Sequence, residues 1–467
     1  MEKKIVYLAV LGGGPGGYVA AIRAATLGLK TVLIEKGQLG GVCLNTGCIP
    51  TKTLHYVSQS IDELKKYSIF GINTTGPNID FQKVMERKDF VINAQRKGIQ
   101  YHLSKNNVEL IPGRGKLTDI NKIVVTNDAG ENIEITAKNI IIATGSSAKS
   151  IPPFDFTKEG ILDNVKILSL KELPSSILII GAGVIGCEFA NIFATLGSKV
   201  TLIEVLPRIL ATEDEDVSKI IHKNFSKKGI NVYLNTIAQS LDIKDNKYVC
   251  NLNNGESLAV DKILVAIGRS PNTYDIGIEE LGIIKDKGFI KVDPHLRTSI
   301  PSIYAIGDVI GGYLFAHVAS KEGKVAAENI SGKETIMDYK VIPWTIFTSP
   351  EIGTVGLNEK QAIDMNLKVR VGIFPFMNSG KAHISAETEG FVKIVTDESS
   401  GEILGAQVIG PRASDLIHEV AVAMKGEMTV EKLAESVYSH PTLSEAIMEA
   451  AEDCFGLATH ISRQSIN

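Results

Sequence analysis

The chain contains one glycine-rich pattern twice, with Gly181 following Gly12 by 169 residues. Three glycines stand at the same spacing in each copy: Gly12, Gly14 and Gly17, then Gly181, Gly183 and Gly186. Residues 25–28 match residues 194–197, and residues 33–35 match residues 202–204, at the same offset. Each copy has the pattern of an apolar strand, a glycine turn, a helix and a second apolar strand that ends in an acid. The sequence therefore predicts the same βαβ unit twice.

Each βαβ unit has the features of a dinucleotide site. In such a turn the first glycine makes the tight bend, the second lets backbone N–H groups approach a pyrophosphate, and the third lets helix and strand pack closely. The acid that follows the first glycine by 23 residues, Glu35 or Glu204, accepts hydrogen bonds from a ribose diol. Because a carboxylate repels a 2′-phosphate, Glu204 favours NAD over NADP at the second site. One such motif is a weak indication, but two copies with matched acids predict two dinucleotide-binding domains.

A later strand accompanies each unit. Residues 140–145 and 263–268 are apolar runs that each end in a small, glycine-terminated turn. After about Val341 the pattern changes, and strands are followed by helices: strands over 391–395 and 403–409, helices over 414–425 and 429–436. The sequence thus predicts an α/β fold with two Rossmann-like dinucleotide-binding domains, followed by a third, α+β domain.

The composition argues against several classes of protein. The 467 residues include 49 Lys and Arg against 53 Asp and Glu, with no basic block, so we expect no nucleic-acid partner. Residues 177–197 are apolar over the length of a membrane span, but they contain Glu188, Asn191 and four glycines, so we expect strand, turn and helix and no membrane association. The N-terminal apolar run 5–11 is too short for a span and leads into a glycine cluster, so we expect a cytoplasmic protein without a signal peptide.

Two of the five cysteines lie close together, just after the first βαβ unit. Cysteines are sparse and odd in number, which disfavours a secreted, disulfide-stapled fold. Positions i and i+5 lie ~140° apart around a helix, so Cys43 and Cys48 would not meet on one. We expect Gly40, Gly41 and Gly47 to form a bent loop that brings the two sulfurs together.

The cysteine pair allows three interpretations. One is a structural disulfide or a pair of buried thiols. A metal site would need more ligands, and no other Cys or His lies within six residues of the pair, so we expect no metal. Pro50 suits the first turn of a helix, which places Cys48 just before a helix N-terminus, where the dipole stabilises a thiolate. Next to two nucleotide sites, we interpret the pair as redox-active. Three further cysteines receive no role: Cys187, Cys250 and Cys454.

Together these residues resemble the pyridine nucleotide–disulfide oxidoreductase family over essentially the whole chain. Besides the glycine motifs, the resemblance rests on residues 40–52, 143–145, 266–269, 304–308 and 440–445. It implies that the first nucleotide site holds FAD and the second holds NAD. The implied flavin-side residues are Gly12, Gly14, Gly17, Glu35, Lys52, Thr144, Gly145, Asp308 and Ala316. The implied NAD-side residues are Gly181, Gly183, Gly186, Glu188, Glu204 and Gly268. It further implies that Asp308 hydrogen-bonds the flavin ribityl chain and that Lys52 lies by the flavin and pairs with Glu188.

The resemblance also implies a domain order and a dimer. Residues 1–146 and 270–341 would form the FAD-binding domain, residues 147–269 the NAD-binding domain, and residues 342–467 a dimerisation domain. His440 can titrate near neutral pH, and Glu445 can orient and charge-stabilise it. In the family such a histidine reaches into the partner subunit's site. We therefore expect a homodimer in which Cys43, Cys48, His440 and Glu445 are the catalytic groups.

The implied activity is FAD-dependent oxidation of dihydrolipoyl groups, with NAD as electron acceptor, through a Cys43–Cys48 disulfide. The expected partner is a lipoyl-bearing acyltransferase or a glycine cleavage carrier protein, within a 2-oxoacid dehydrogenase or glycine cleavage complex. Two alternatives stay open: a reductase that runs the other way on a different disulfide, and a non-catalytic flavin-bearing subunit of an electron-transfer assembly. An inactive subunit need not keep both cysteines together with His440 and Glu445, which disfavours the last alternative.

Overall fold

Two mainly parallel sheets and a five-stranded antiparallel sheet are the three largest sheets in a computed structural model that describes residues 2–73 and 76–461; the smaller sheets are antiparallel. The elements up to residue 148 are β1 (Glu2–Leu11), α1 (Pro15–Thr26), β2 (Thr31–Glu35), α2 (Gly41–Thr46), α3 (Cys48–Lys66), α4 (Phe81–Lys105), β3 (Glu109–Pro112), β4 (Arg114–Asp119), β5 (Lys122–Thr126), β6 (Asn132–Ile142) and β7 (Ser146–Ala148). Those up to residue 271 are β8 (Ile161–Leu162), α5 (Asn164–Ile167), β9 (Ser176–Ile180), α6 (Val184–Leu196), β10 (Lys199–Ile203), α7 (Glu215–Lys227), β11 (Asn231–Tyr233), β12 (Ala238–Lys244), β13 (Lys247–Leu252), β14 (Ser257–Val260), β15 (Lys262–Val265) and β16 (Arg269–Pro271).

The remaining elements form two groups. The first contains β17 (Lys285–Asp286), β18 (Phe289–Ile290), β19 (Ile303–Ala305) and α8 (Ala316–Ile330). The second contains β20 (Pro343–Ile346), β21 (Glu351–Gly356), α9 (Glu359–Asp364), β22 (Val369–Pro375), α10 (Gly380–Ile384), β23 (Phe391–Asp397), β24 (Ile403–Gly410), α11 (Ala413–Lys425), α12 (Val430–Ala434) and α13 (Glu445–Asp453).

The first sheet has the order β3-β2-β1-β6-β5-β4, with β19 beside β6. Strand β1 pairs in parallel with β2 and β6, and the residues of β1 from Leu8 to Leu11 are at most 5% exposed. Such a continuous apolar run is typical of a parallel strand covered on both faces. Because β19 pairs with β6, the chain returns to the first sheet after it has formed the second.

The second sheet has the order β11-β10-β9-β15-β8, with β9 at its centre. Its strand β9, its glycine turn and its helix α6 occupy the apolar region 177–197, which therefore divides as predicted. Among the described residues, no helix combines the length and the apolar character that a membrane span requires. The division of the chain into the four predicted segments, 1–146, 147–269, 270–341 and 342–467, stays a prediction.

The third sheet is antiparallel, in the order β20-β21-β24-β23-β22. The predicted strands appear as β23 and β24, and the predicted helices appear as α11 and α12, although α12 is shorter than residues 429–436. Helices α11 and α13 cover one face of this sheet, and Val392, Ile417 and Ile447 are fully buried between them.

Candidate active site

Both glycine turns and both cysteines line one cavity of about 1900 Å³. Ligand pockets commonly measure roughly 300–1,000 Å³, so this one has room for two dinucleotides. Most of the predicted site residues line it: Gly12, Gly14, Glu35, Cys43, Cys48, Lys52, Thr144, Gly145, Gly181, Gly183, Glu188, Glu204, Gly268, Asp308 and Ala316. The structure therefore brings the two sets of nucleotide-site residues and the cysteine pair into one site.

The third glycine of each motif is required by packing inside the protein. A Cβ atom on Gly17 would lie 1.8 Å from the carbonyl oxygen of Gly12, and one on Gly186 would lie 1.9 Å from that of Gly181. Neither Gly17 nor Gly186 lines the cavity. These two glycines let the helices α1 and α6 pack against their preceding strands, as the motif predicts.

The second glycine of each motif is not required by the protein itself. Gly14 and Gly183 have φ values of −72° and −75°, which any residue can adopt. A Cβ atom on Gly183 would meet nothing within 4 Å, and one on Gly14 would make only an ordinary contact with Gly41 at 3.8 Å. Both glycines stand at the N-terminus of a helix, where backbone N–H groups bind anions. The open space in front of them fits the pyrophosphates of FAD and NAD.

The two acids are held in the same way at both turns. Each carboxylate accepts two backbone N–H hydrogen bonds from equivalent positions of the repeat: Gly13 and Gly37 for Glu35 (2.6 and 2.7 Å), and Ala182 and Leu206 for Glu204 (2.7 and 3.0 Å). A carboxylate has about four acceptor positions. Glu35 and Glu204 therefore keep acceptor capacity for a ribose diol on the cavity wall.

The predicted bent loop around the cysteines is wrong. The chain forms the short helix α2 from Gly41 to Thr46, with Cys43 inside it, and starts α3 at Cys48 itself. The break lies at Gly47, whose φ and ψ of −144° and −112° are not helical. A Cβ atom there would lie 2.9 Å from the carbonyl oxygen of Val42. The kink between the helices lets the two cysteine side chains meet, as a continuous helix would not.

The two thiols differ in acidity because they are hydrogen-bonded to each other. Both are free cysteines in this structure, which corresponds to the reduced pair. The hydrogen bond from Cys43 lowers the pKa of Cys48 to about 7, against the opposing effect of burial and with help from the Lys52 charge. The same hydrogen bond and burial raise the pKa of Cys43 far above its ordinary value. The N-terminus of a helix also favours a thiolate. Cys48 is therefore the more acidic thiol of the pair, and Cys43 is the one that holds its proton more strongly.

Lys52 and Glu188 join α3 to α6 in an ion pair, as the resemblance implies. The Lys52 Nζ lies 2.9 and 2.8 Å from the two carboxylate oxygens of Glu188. Phe347 completes the arrangement, because its backbone N–H donates to Glu188 Oε1 at 3.0 Å and its ring lies 4.8 Å from the Lys52 Nζ. Phe347 was not predicted, since nothing in its local sequence marks a contact with residues so distant in the chain.

Asp308 is held by a small polar network. The Ser146 hydroxyl donates to Asp308, and Arg269 Nε lies 3.7 Å from its carboxylate. Arg269 also donates to the hydroxyl and the carbonyl oxygen of Ser146, at 2.7 and 2.6 Å. Ser146 was missed by the sequence analysis, although it directly follows the motif 143–145. The network fixes the carboxylate at the cavity wall between the first sheet and residues 269–272.

His440 and Glu445 form a pair away from the cavity. His440 Nδ1 lies 2.8 Å from Glu445 Oε1, and the Thr442 backbone N–H donates to Glu445 Oε2 at 2.7 Å. Burial would raise the pKa of Glu445, but the hydrogen bonds from Thr442 and His440 hold it below its ordinary value. The His440 side chain is 78% exposed. Nδ1 is therefore engaged within the pair, while most of the His440 ring is open to solvent.

The other three cysteines are buried. Burial raises the pKa of Cys250 to about 11 and that of Cys454 to about 12, and it raises the pKa of Cys187 further still. A buried thiol that keeps its proton is a poor nucleophile, so these cysteines are structural. Within residues 2–73 and 76–461, no group of three or more His, Cys, Asp or Glu is placed to hold a metal ion.

The chain belongs to the pyridine nucleotide-disulphide oxidoreductase family. Residues 6–323 match the model of that family, and residues 342–451 match the model of its dimerisation domain. Similar curated proteins named dihydrolipoyl dehydrogenase come from Geobacillus stearothermophilus, which is 43% identical over 97% of both chains, and from Bacillus subtilis, which is 39% identical over 97% of this chain and 99% of its own. The resemblance and the fold class inferred from the sequence are thus confirmed.

Two solved structures are similar over almost their whole length. LpdA from Mycobacterium tuberculosis has a TM-score of 0.90 and 30% identity, and the match covers 97% of this chain and 99% of LpdA. The HOCl-induced flavoprotein disulfide reductase RclA from Escherichia coli has a TM-score of 0.86 and 29% identity, and the match covers 96% and 99%.

Proposed function

We propose that the protein is a dihydrolipoyl dehydrogenase, which oxidises dihydrolipoyl groups with NAD through FAD and the Cys43–Cys48 pair. The observation that supports this most is the hydrogen-bonded cysteine pair at the start of α3, in one cavity with both dinucleotide turns. The names of the similar curated proteins agree with it. The proposal includes a cytoplasmic location and service to a 2-oxoacid dehydrogenase or glycine cleavage complex.

The cysteine pair performs thiol–disulfide exchange. A dihydrolipoyl thiolate attacks Cys43 Sγ of the oxidised pair, the bond between the two sulfurs breaks, and Cys48 leaves as a thiolate. The second lipoyl thiolate then attacks the lipoyl sulfur of the mixed disulfide, which releases the lipoyl disulfide and Cys43, and Cys43 takes up a proton. A low pKa makes Cys48 the better leaving group in the first exchange. FAD, held by the turn with Gly12, Gly14 and Glu35, would supply the two-electron acceptor between the cysteine pair and NAD.

His440 is the proposed base for the dihydrolipoyl thiol, and it would serve the partner subunit. Residues 342–451 match a dimerisation domain, so the expected assembly is a homodimer. His440 is exposed and lies outside this chain's own cavity. Both facts support a site that is completed by two chains. The carrier of the lipoyl group would be an acyltransferase or a glycine cleavage carrier protein.

A disulfide reductase that uses a nicotinamide to reduce another disulfide is the second candidate function, favoured by the similarity to RclA. Steady-state assays with dihydrolipoamide and NAD, and with glutathione disulfide and reduced nicotinamides, separate the two. We expect rapid turnover with dihydrolipoamide and NAD only. Comparable or faster turnover with glutathione disulfide would contradict the proposal.

Changing Glu204 is expected to alter nucleotide choice. Glu204→Gln removes the charge that repels a 2′-phosphate and keeps one acceptor oxygen, although it loses one of the two backbone N–H hydrogen bonds, so NADP should become a better substrate. Glu204→Ala also removes the ribose acceptor and should weaken NAD by about 10- to 100-fold. The KM values for NAD and NADP in the two variants measure both effects. If NADP already works as well as NAD in the unaltered protein, the role given to Glu204 is wrong.

A further inference from the structure

Helices α3 and α6 share an interface that contains polar side chains along its length. We call these residues the polar seam: Lys52, His55 and Asp62 of α3, Glu188, Asn191 and Thr195 of α6, and Lys228. Within each helix the spacings are close to whole turns, so the members point to one side. The polar seam begins at the Lys52–Glu188 pair and therefore extends from the candidate active site into the protein.

An ion pair lies at each end of the polar seam. Lys52 and Glu188 form one ion pair, at 2.8 Å. At the other end, Lys228 Nζ donates to Asp62 at 2.6 Å, to the Asn191 side-chain oxygen at 2.8 Å and to the Thr195 hydroxyl at 3.1 Å. Each charged group of the polar seam therefore has a partner that compensates for its burial.

The middle of the polar seam is not satisfied in the same way. His55 is 4% exposed and Asn191 is 0% exposed. Among the described residues, neither ring nitrogen of His55 has a hydrogen-bond partner, nor has the Asn191 side-chain nitrogen. The His55 ring has only an edge-on contact with Phe347, at 5.8 Å between centroids. Buried polar groups in folded proteins are paired with protein atoms or with ordered water.

The two unsatisfied side chains lie on facing helices, His55 between Lys52 and Asp62 on α3 and Asn191 between Glu188 and Thr195 on α6. His55 follows Lys52 by three residues and Asn191 follows Glu188 by three, so each lies about 4.5 Å further along its helix than the ion pair. The helices run in the same direction, because the contacts of Asp62 and of Thr195 meet at Lys228. A buried water typically makes about three hydrogen bonds to such polar groups. One ring nitrogen of His55 and the Asn191 side-chain nitrogen can therefore serve as two of the partners of a single water.

We propose that His55 and Asn191 hold an internal water between α3 and α6, and that through it His55 is a positioning residue for the Lys52–Glu188 pair beside Cys48. A neutral imidazole offers one donor and one acceptor, which suits a bridging water. Burial, together with the charges of Lys52 and Lys228, lowers the pKa of His55 to about 4 against the opposing effect of Asp62. His55 is thus neutral at the pH of the reaction and adds no third cation to the polar seam.

The consequence for the active site concerns the acidity of Cys48. The Lys52 charge lowers the pKa of Cys48, so the acidity of this thiol depends on where Lys52 is held. Leucine at position 55 removes the polar partner of the water and leaves the Asn191 nitrogen unpaired. The His55 ring also packs edge-on against Phe347, which contacts both Lys52 and Glu188, so we expect Lys52 to shift and the pKa of Cys48 to rise.

A double-mutant cycle tests the water site. The variants are His55→Leu, Asn191→Leu and both together, with Tyr56→Leu as the matched control, since Tyr56 is the next residue of α3 and is 70% exposed. In the flavin-loaded protein, each single variant should lower the thermal midpoint, because it leaves one buried polar group without a partner. The double variant should recover the part of the loss that comes from the water site, while the hydrogen bond from Lys228 to the Asn191 oxygen is missing in both variants at position 191. Losses that simply add would overturn the water site.

A titration tests the positioning role, which rests on the proposed function because it needs a thiolate beside a flavin. In the Cys43→Ser background, the long-wavelength absorbance followed against pH reports the pKa of Cys48. His55→Leu should raise this pKa by roughly half a unit or more, the double variant should keep the raised value, and Tyr56→Leu should leave it unchanged. An unchanged pKa in His55→Leu overturns the positioning role. Absence of the band at every pH would instead contradict the proposed function.

Discussion

Cys43→Ser and Cys48→Ser are each expected to reduce dihydrolipoyl oxidation by roughly 10³-fold or more, because neither variant can form the internal disulfide. Their visible spectra should differ. Cys48 is the thiol whose pKa lies at about 7, so Cys43→Ser leaves a thiolate beside the flavin and should show a long-wavelength band without added reductant. Cys48→Ser should show no such band. Turnover with dihydrolipoamide and absorbance spectra of the purified flavin-loaded proteins measure both expectations.

Cys43→Ala is the matched control for the hydrogen bond between the two thiols. Serine at position 43 can still donate to Cys48, but alanine cannot, and this hydrogen bond is the main cause of the low pKa of Cys48. A thiolate exists above its pKa, so the band should disappear as the pH falls through about 7 in Cys43→Ser and at a higher pH in Cys43→Ala. Bands that appear in the opposite variants would mean that the roles of the two cysteines are exchanged. Unchanged turnover in both serine variants would remove the redox role.

The nucleotide turns could be predicted from the sequence because their geometry depends on local steric rules. Gly17 and Gly186 have no room for a Cβ atom, and Glu35 and Glu204 accept hydrogen bonds from amides in their own turns. Every contact of this kind lies within one βαβ unit. The glycine spacing and the position of the acid are therefore visible in the sequence itself, and the repeat doubles the signal.

The path of the chain around Cys43 could not be predicted in this way. Helix α2 is stabilised by Asn45, whose side-chain nitrogen donates to the carbonyl oxygens of Leu39 and Gly41 at 3.0 and 2.8 Å. The Asn45 oxygen accepts from Arg96 of α4 at 2.6 Å. Three glycines near the cysteines favoured a loop on local grounds. The contact with Arg96, which is 51 positions away from Asn45, helps to stabilise a helix instead. A contact over such a sequence separation leaves no periodic pattern in the sequence.

The same reason explains which site residues were missed. Each missed residue is related to a group on another element. Phe347 donates to Glu188, and Ser146 donates to Asp308. His55 and Asn191 both have buried nitrogens without a partner among the described residues. The sequence identified Glu188 and Asp308 because they belong to motifs. Their supporting side chains belong to none, so only the folded arrangement shows them: α3, α6 and residues 343–347 for Phe347 and His55, and β7 with residues 269–308 for Ser146.

His440→Ala is expected to lower turnover with dihydrolipoamide by about 10²- to 10⁴-fold, the usual contribution of a general base. FAD binding should be unaffected, because His440 does not line the cavity. Hydride exchange between NADH and artificial acceptors should be nearly unchanged, since that reaction needs no thiol base. These two measurements are the controls for the fold of the variant. Comparable losses in all three would indicate a folding defect instead of a missing base.

Complementation between subunits tests whether His440 acts as the base at the cysteine pair of its own chain or of the partner chain. The His440 side chain is exposed and lies outside the cavity of its own chain, and a twofold dimer places equivalent surfaces of two chains against each other. Inactive Cys43→Ser/Cys48→Ser subunits are mixed with inactive His440→Ala subunits and allowed to exchange. In a mixed dimer, one of the two sites combines an intact cysteine pair with an intact His440 from the other chain, so lipoyl oxidation should return. Exchange demonstrated by mass spectrometry without any return of activity would show that His440 serves its own chain or has no part in the reaction.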